Sequence, residues 1–340
     1  MHGSDIMNKQ QYGTLDLFRL LAAVMVMAIH TAPLESVNSE LDYIFGIIIP
    51  RVAVPFFFMV SGQFTDFSRF FAVRKQLLKL SIMYGISILI YIPLGIYGGY
   101  YEKLTPVSVL KMLLFDGSYY HLWYFPACIL GLIIVYLLKR FLPKKAAVIA
   151  AALLYIIALF GDNYFGIAER IPLVSEMYGA LFTIFSFTRN GLFFAPLFLL
   201  MGNELGTDRR SESRPKLLAG MMFSLALMIA EGMTLRHFGI PRHNSMLIFL
   251  VPVMIFLYRL LLSFPAPPRT FARSVSAWAY ILHPAVIAVL HGAIKTVPLL
   301  GNSAVFFVLI VMLSFAAAVS VEFILTKTGN KLKDFKRDRA

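Results

Sequence analysis

The chain has 340 residues, of which 59% are hydrophobic and only 14% are charged, and its mean hydropathy is +0.75. This composition lies well outside the range of soluble domains and predicts a polytopic membrane protein surrounded by a lipid bilayer. The formal charge of +13 does not indicate a nucleic-acid partner, because the basic residues lie in loops between apolar segments and not on one soluble face. The single cysteine, Cys128, excludes an internal disulfide and a multi-cysteine metal site, and we expect no metal.

Apolar runs separated by charged or Pro/Gly-containing loops predict an all-α fold with about ten transmembrane helices. The runs cover residues 14–34, 43–64, 76–99, 120–138, 145–161, 190–206, 216–235, 245–263, 274–292 and 301–326. Two shorter runs, 107–115 and 178–187, predict interfacial or re-entrant pieces. Residues 1–6 resemble a cloning remnant ahead of a natural start at Met7, and no cleavable signal peptide is predicted. We expect a membrane domain over residues 7–326 and a basic cytoplasmic tail over 327–340.

The basic residues concentrate in alternate loops. The richer set of loops carries Arg69, Arg74, Lys75, Lys79, Lys139, Arg140, Lys144, Lys145, Arg209, Arg210, Arg214, Lys216, Arg259, Arg269, Arg273, Lys327, Lys331, Lys333, Lys336, Arg337 and Arg339. Because cytoplasmic loops of membrane proteins carry the excess of Lys and Arg, this set is predicted to be cytoplasmic. Both termini are then cytoplasmic, and the number of spans is even.

The first span contains three ionisable residues in an otherwise apolar segment. Arg19 and His30 are eleven positions apart, and eleven steps of 100° return to within about 20° of the start, so both are predicted to lie on one helix face. Asp16 precedes Arg19 by three positions and is placed to pair with it. Ionisable groups at membrane depth cost a few kcal/mol or more and normally face protein or water. Two interpretations remain open: an ion pair beside a hydrogen-bonded histidine, or a functional site.

Other intramembrane and boundary polar residues extend the set of candidates. Arg51 lies between Pro50 and Pro55 in the second span, where Ser61 and Gly62 allow another backbone to approach closely. A kinked helix explains the prolines, whereas Arg51 needs an anionic partner or a water-filled cavity. The boundary residues Arg74, Lys75 and Lys79 either bind lipid headgroups or hold the phosphates of a cytosolic donor.

A further group of polar residues is predicted towards the outer surface. It comprises His121, Trp123, Arg189, Asn190, Glu231 and His243, with His283 near the middle of the ninth span. Trp123 is also a typical interfacial anchor. Pro284 frees a backbone carbonyl one turn earlier, so His283 is either a buried histidine bonded to that carbonyl or a second imidazole of the site. Together with Arg51 and Ser61, these residues are the candidates for an acceptor or serine pocket.

This pattern resembles the acyltransferase-3 family of bacterial membrane proteins. The resemblance rests on Asp16, Arg19 and His30 in the first span, the segment 55–62, the segment 121–124 and the segment 280–284. It implies transfer of an acyl group from cytosolic acyl-CoA, most often acetyl-CoA, to an outward-facing hydroxyl acceptor. In that mechanism His30 is the base, and Arg19 with Asp16 supports it. The family's paired arginines at the third span correspond only loosely to Arg74, Lys75 and Lys79.

A closer resemblance is to the membrane half of VanT-type serine racemases of vancomycin-resistant bacteria. The segments 51–59, 189–194 and 280–284 carry it. In that group a cytoplasmic pyridoxal-phosphate racemase domain follows the last span, so residues 327–340 are compatible with a linker cut before that domain. The resemblance implies that racemase catalysis and its pyridoxal phosphate are absent from this chain. It also makes supply of L-serine to a fused racemase an alternative to acyl transfer.

Three functional hypotheses follow. In the first, His30 is the general base of acyl transfer at a bacterial cell membrane. In the second, Arg51, Arg189 and Glu231 bind zwitterionic L-serine, because a zwitterion needs a cation for its carboxylate and an acceptor for its ammonium. In the third, the chain is a structural membrane anchor, which accounts poorly for Arg19, His30 and His283.

Overall fold

The computed structural model describes residues 12–102, 104–208, 212–294 and 296–337. The predicted remnant, residues 1–6, lies outside this part of the chain. Within it the protein is helical, without strands, apart from an isolated bridge between Tyr12 and Ala266. The helices are α1 (Gly13–Ile29), α2 (Ser39–Asp42), α3 (Ala53–Gln63), α4 (Phe70–Tyr97), α5 (Pro106–Lys111), α6 (Tyr124–Phe141), α7 (Lys144–Phe160), α8 (Phe165–Ala168), α9 (Pro172–Ile184), α10 (Ala195–Thr207), α11 (Arg214–His237), α12 (Leu250–Leu262), α13 (Thr270–Ala293) and α14 (Ser303–Arg337).

Each apolar run predicted to span the membrane coincides with a helical segment. In the part of the chain that the structure describes, 6 segments are long and apolar enough to cross a bilayer: Ser39–Gln63, Phe70–Tyr97, Tyr124–Phe141, Arg214–His237, Thr270–Ala293 and Ser303–Thr328. The other predicted spans correspond to α1 and α7, with 17 residues each, and to α10 and α12, with 13 residues each. Six segments confirm the helical, multi-pass character, while the count of ten and the sidedness of the termini stay predictions. Helix α14 continues into the predicted tail as far as Arg337.

The prolines of the second span interrupt it as expected. The backbone forms a π-helical turn over Tyr43–Ile48 and a 3₁₀ turn over Ile49–Val52 before α3 begins. Pro50 lies within the 3₁₀ turn, where it has no N–H to donate to a helical hydrogen bond. Asn38 caps the start of the segment by accepting hydrogen bonds from the backbone N–H groups of Glu40 and Leu41, at 2.9 and 3.0 Å.

The first of two compact units comprises residues 1–46 and 261–340. In it α1 packs against α13, and α13 packs against α14. The shared core contains small residues, including the fully buried Ala23, Ala279 and Ala318, beside Met27 and Ile310. Small side chains let helices approach closely, which is the usual basis of packing between membrane helices.

The second unit comprises residues 47–260, and the tight pairing of α3 with α10 lies within it. A Cβ at Gly62 would lie 1.9 Å from the carbonyl oxygen of Leu199, and a Cβ at Gly202 would lie 1.9 Å from that of Met59. The two backbones therefore touch at reciprocal glycines. This contact confirms the close approach that was predicted at Gly62.

Substitution Gly62→Ala is expected to lower the stability of the protein by about 1–3 kcal/mol, because the added methyl group overlaps the backbone of α10. Thermal unfolding of the detergent-solubilised chain measures the effect. Gly85→Ala is the matched control, since a Cβ at Gly85 of α4 meets nothing within 4 Å. Equal melting temperatures for the two variants would contradict the assigned contact.

Candidate functional site

The carboxylate of Asp16 joins α1 to the start of α13 within the first unit. Asp16 is 1% exposed. Its oxygens accept hydrogen bonds from the backbone N–H of Arg269 at 3.0 Å and from Nε and Nη2 of Arg273 at 3.0 and 2.9 Å. Arg269 is the N-cap residue of α13, and a carboxylate near a helix N-terminus is favoured by the helix dipole. Asp16 therefore acts as the anion at the N-terminus of α13.

Arg19 completes this cluster. Its Nε lies 3.6 Å from Oδ1 of Asp16, so the predicted ion pair is confirmed. The shorter, forked contact belongs to Arg273, which sequence reasoning had assigned only to the set of cytoplasmic loop charges. The start of α1 is fixed further by the N–H of Gly13, which donates to the carbonyl of Ala266 at 2.8 Å, and by the hydroxyl of Thr14, which donates to the carbonyl of Phe264.

His30 lies at the other end of α1, next to His283 of α13. His30 is the C-cap residue of α1, is partly buried, and donates its backbone N–H to the carbonyl of Met27 at 3.1 Å. The two imidazole rings are 5.5 Å apart between centroids and are inclined by 24°. Because Asp16 and His30 both contact α13, the structure agrees with the predicted common face of α1.

The proline after His283 accounts for the orientation of its ring. Pro284 has no N–H, so it cannot donate to the carbonyl of Tyr280 four residues earlier. Nδ1 of the fully buried His283 lies 2.7 Å from this carbonyl oxygen. A carbonyl only accepts, so Nδ1 carries the hydrogen and Nε2 is the acceptor nitrogen of the neutral ring. The hydrogen bond predicted between His283 and the freed backbone carbonyl is therefore present, and a second imidazole, that of His30, lies beside it.

The second unit contains a separate cluster around Arg189. Its Nη1 donates to the hydroxyl of Ser245 at 3.1 Å, and its Cζ lies 4.2 Å from the ring centroid of Phe187 and 5.4 Å from that of Trp123. Burial lowers the pKa of Arg189, and the negative charge of Asp162 partly opposes this change. Two predicted candidates, Arg189 and Trp123, are thus brought together.

Asp162 is the member of this cluster that sequence reasoning missed. It is 0% exposed, and its Oδ1 accepts a hydrogen bond from the N–H of Ser245 at 2.6 Å. Burial raises the pKa of Asp162, while the N–H of Ser245 and the positive charges of Arg189 and Arg51 hold it down in part. The available signal was an acidic residue directly after the apolar run 145–161.

His243 lies beside the same cluster. Its ring centroid is 4.7 Å from that of Phe187. Burial, reinforced by the positive charges of Arg189, Arg242 and Arg51, lowers the pKa of His243 to about 4. His243 is therefore neutral at physiological pH, and the electrostatic potential around it is positive.

Glu231 belongs to the same unit, but its hydrogen bonds give it a structural role. Its carboxylate accepts from the hydroxyl of Tyr164 at 2.6 Å and from the backbone N–H groups of Ile248 and Phe249 at 2.6 and 2.9 Å. These bonds fix the backbone just before α12. Asn190 has a similar role, because its Oδ1 accepts from the backbone N–H groups of Leu192 and Phe193 at 2.9 and 3.0 Å.

The remaining candidates also lie in the second unit. His121 is 1% exposed and is surrounded by the rings of Tyr91, Tyr119 and Tyr120. Ser61 lies 3.4 Å from the hydroxyl of Tyr124. Arg51 interacts electrostatically with Asp162 and His243. The side chains predicted to bind the acyl donor are exposed on the first turns of α4: Arg74, Lys75 and Lys79.

Comparison with protein families identifies the class of this chain. A family model described as an acyltransferase domain, of the acyltransferase-3 type, matches residues 12–323. The match covers α1, α13 and all the candidate residues named above, so the chain belongs to the acyltransferase-3 family. It is a multi-pass protein of the bacterial membrane with a transferase-type domain.

Curated relatives from enterococci carry the names of racemases. Two proteins named amino-acid racemase in Enterococcus faecalis are 39% and 36% identical to this chain over 273 and 321 residues, covering 78% and 91% of the chain and 38% and 46% of their own lengths. A serine/alanine racemase of Enterococcus gallinarum is 36% identical over 314 residues, covering 88% of the chain and 44% of its own length. The chain thus spans less than half the length of these relatives and matches the membrane half of VanT-type racemases, as the sequence had indicated. No solved structure matches significantly.

Substitution Asp16→Asn is expected to lower the melting temperature, because it removes the charge that compensates Arg273 and the N-terminus of α13. Breaking a buried ion pair costs about 3–5 kcal/mol, and we expect the lower part of that range or less, since Arg273 is 42% exposed. Asp66→Asn is the control, because its pair with Arg69 is on the surface and contributes little. A similar change in both variants would argue against the Asp16 contact as a tie between helices.

Proposed function

We propose that this chain transfers an acyl group from cytosolic acyl-CoA, with acetyl-CoA as the preferred donor, to a hydroxyl of a cell-envelope acceptor. The family match supports acyl transfer as the reaction class. The observation that carries the residue assignment is the pair of imidazoles at the end of α1, in which the tautomer of His283 is fixed and His30 is partly buried beside it.

In the proposed reaction His30 acts as the general base. It takes the proton of the acceptor hydroxyl while the hydroxyl oxygen attacks the thioester carbonyl. The new C–O bond forms, the C–S bond breaks, and the proton passes from the His30 imidazolium to the leaving coenzyme A thiolate. The C-terminal end of α1 favours a positive charge on His30 during this cycle. General-base catalysis of this kind typically contributes about 10²–10⁴ in rate.

His283 is assigned the role of a positioning residue. Its Nδ1–H is held by the carbonyl of Tyr280, so its Nε2 is the nitrogen that can accept a hydrogen bond from the N–H of a neighbouring imidazole. Such a bond would hold His30 with its second nitrogen as the base. Asp16, Arg19 and Arg273 support the other end of α1 and thereby its register against α13.

The donor side of the proposal uses Arg74, Lys75 and Lys79. These side chains are exposed on the first turns of α4, where three cationic groups suit the phosphates of coenzyme A. Lys75 and Lys79 are four residues apart and so share one helix face.

Substitution His30→Ala is expected to reduce acyl transfer by about 10²–10⁴-fold, because the base is removed. Release of free thiol from acetyl-CoA by the full chain in lipid nanodiscs, with a hydroxyl acceptor present, measures the reaction. His237→Ala is the matched control, since His237 is exposed at the end of α11. Undiminished thiol release in His30→Ala would refute the mechanism.

Substitution Pro284→Ala tests the orientation of His283. It restores a backbone N–H that competes for the carbonyl of Tyr280, so the tautomer is no longer fixed. We expect kcat to fall by about 10-fold or more with KM for acyl-CoA unchanged; a wrong tautomer in a serine-protease triad costs about 10⁴.

His283→Asn complements this variant, because the amide keeps a donor for Tyr280 and loses the Nε2 acceptor, and His283→Gln should restore part of the rate. Unchanged kcat and an unchanged pH profile in Pro284→Ala and His283→Asn would exclude the positioning role.

A second candidate function is binding of L-serine. The similarity to the serine/alanine racemase of Enterococcus gallinarum favours it, and so does Arg189, a cation placed among aromatic rings in the second unit. Acyl transfer and serine binding are separable by experiment, since the proposed base His30 and its partner His283 lie in the first unit, whereas Arg189 lies in the second.

A further inference from the structure

Arg189 has donors without a partner. Of its guanidinium nitrogens, Nη1 donates to the hydroxyl of Ser245, whereas the buried Nε has no hydrogen-bond partner among the described residues. Within that part of the chain Arg189 makes no direct salt bridge with a carboxylate. A charged group that is removed from water without a partner costs several kcal/mol. The cluster is therefore incomplete as it stands.

The surroundings of Arg189 determine which donors remain available. The rings of Phe187 and Trp123 lie against the guanidinium, at 4.2 and 5.4 Å from Cζ. Aromatic contacts of this type cover the face of the group and leave its N–H bonds directed outward in the plane. The edge of a guanidinium presents a fork of donors that matches the two oxygens of a carboxylate. The geometry thus favours a planar oxyanion over a spherical ion.

Asp162 supplies the complementary unsatisfied atom. Its Oδ2 is buried without a hydrogen-bond partner among the described residues, while Oδ1 accepts from the N–H of Ser245 at 2.6 Å. Ser245 therefore contacts both groups, since its hydroxyl also accepts from Arg189 at 3.1 Å. Within the described part of the chain, Oδ2 of Asp162 lacks a donor and Nε of Arg189 lacks an acceptor, and both residues contact Ser245.

We infer that Arg189 and Asp162, bridged by Ser245, form a binding site for a small carboxylate that also carries a hydrogen-bond donor. The ligand carboxylate binds the edge of Arg189, and its amino or hydroxyl group donates to Oδ2 of Asp162. The corresponding chemical class is the α-amino and α-hydroxy acids. This inference rests on the second candidate function and deepens it, and it requires no acyl transfer.

The neighbouring groups agree with this assignment. The low pKa of His243, about 4, reflects burial and the positive charges of Arg189, Arg242 and Arg51. A positive potential of this kind attracts an anion. Glu231, the acceptor first predicted for an ammonium group, already accepts three hydrogen bonds from the protein. Donor recognition is accordingly assigned to Asp162.

Binding of defined probes to the full chain in nanodiscs tests the site. The probes are L-serine, L-lactate, acetate and ethanolamine, followed by calorimetry and thermal shift. L-serine and L-lactate are expected to bind more tightly than acetate, and ethanolamine is not expected to bind, since it lacks the carboxylate.

The variants separate the two halves of the site. Arg189→Gln should weaken L-serine and L-lactate by at least about 10-fold, corresponding to about 1.4 kcal/mol. Asp162→Asn should reduce their advantage over acetate. Arg170→Gln is the control, because Arg170 is an exposed arginine of the second unit. If Arg189→Gln does not fold, Ser245→Ala replaces it, since it keeps the N–H for Asp162 and removes the hydroxyl that contacts both Arg189 and Asp162.

The outcomes distinguish this inference from the functions on which it builds. Unchanged binding in Arg189→Gln and Ser245→Ala, or no binding of either L-serine or L-lactate, would overturn the site. Binding of L-lactate without L-serine would support the site and overturn the second candidate function. Thiol release measured on the same samples reports on acyl transfer independently, since that reaction is assigned to His30.

Discussion

The buried carboxylate of Asp16 binds the N-terminus of α13 and the guanidinium of Arg273 at the same time. In an apolar surrounding this charge is stable only while both partners are present, so α1 and α13 are held together at that end. At the other end His30 meets His283. The contacts occur in the same order along both helices, which means that α1 and α13 run parallel. From residue 16 to 30, and from 269 to 283, the rise is about 21 Å in each helix. The contact of Asp16 with the start of α13 therefore sets the register at which His30 meets His283.

Parallel packing of α1 and α13 also bears on the topology. These helices correspond to the first and ninth predicted spans, which a ten-span arrangement with alternating loop charge sends across the membrane in the same direction. Loop charge and helix packing are different observations, one concerning the distribution of Lys and Arg over all loops and the other the order of contacts along α1 and α13, and they share only Arg269 and Arg273. Their agreement supports an odd number of membrane spans between residues 30 and 270, as the predicted second to eighth spans require.

The sequence could predict the features that depend on local pattern. Apolar runs located each helical segment, Pro50 located the irregular turn, and Gly62 located a close backbone contact. The three-residue separation predicted the pair of Asp16 and Arg19. The dominant partner, Arg273, is 257 positions from Asp16, and no periodicity within one helix can identify a contact at that separation. Helix starts were less predictable, because α10 and α12 begin five residues after the start of their apolar runs, and the side chains of Asn190 and Glu231 bond backbone N–H groups in the segments before them.

Predictions for the second unit were limited by a different factor, which is the hydrogen bonding of buried charges. Glu231 and Asp162 are both acids near the ends of apolar segments, and sequence alone gives no reason to prefer one as a ligand-binding group. In the folded chain Glu231 accepts three protein hydrogen bonds, whereas Oδ2 of Asp162 accepts none among the described residues. A satisfied buried carboxylate stabilises the backbone that satisfies it, and displacing its donors would cost the desolvation of each one. An unsatisfied carboxylate gains by binding a ligand, and the same reasoning applies to Nε of Arg189. Chemical function in this unit is therefore assigned by the donors and acceptors that folding leaves unused, a property that the amino-acid type alone does not determine.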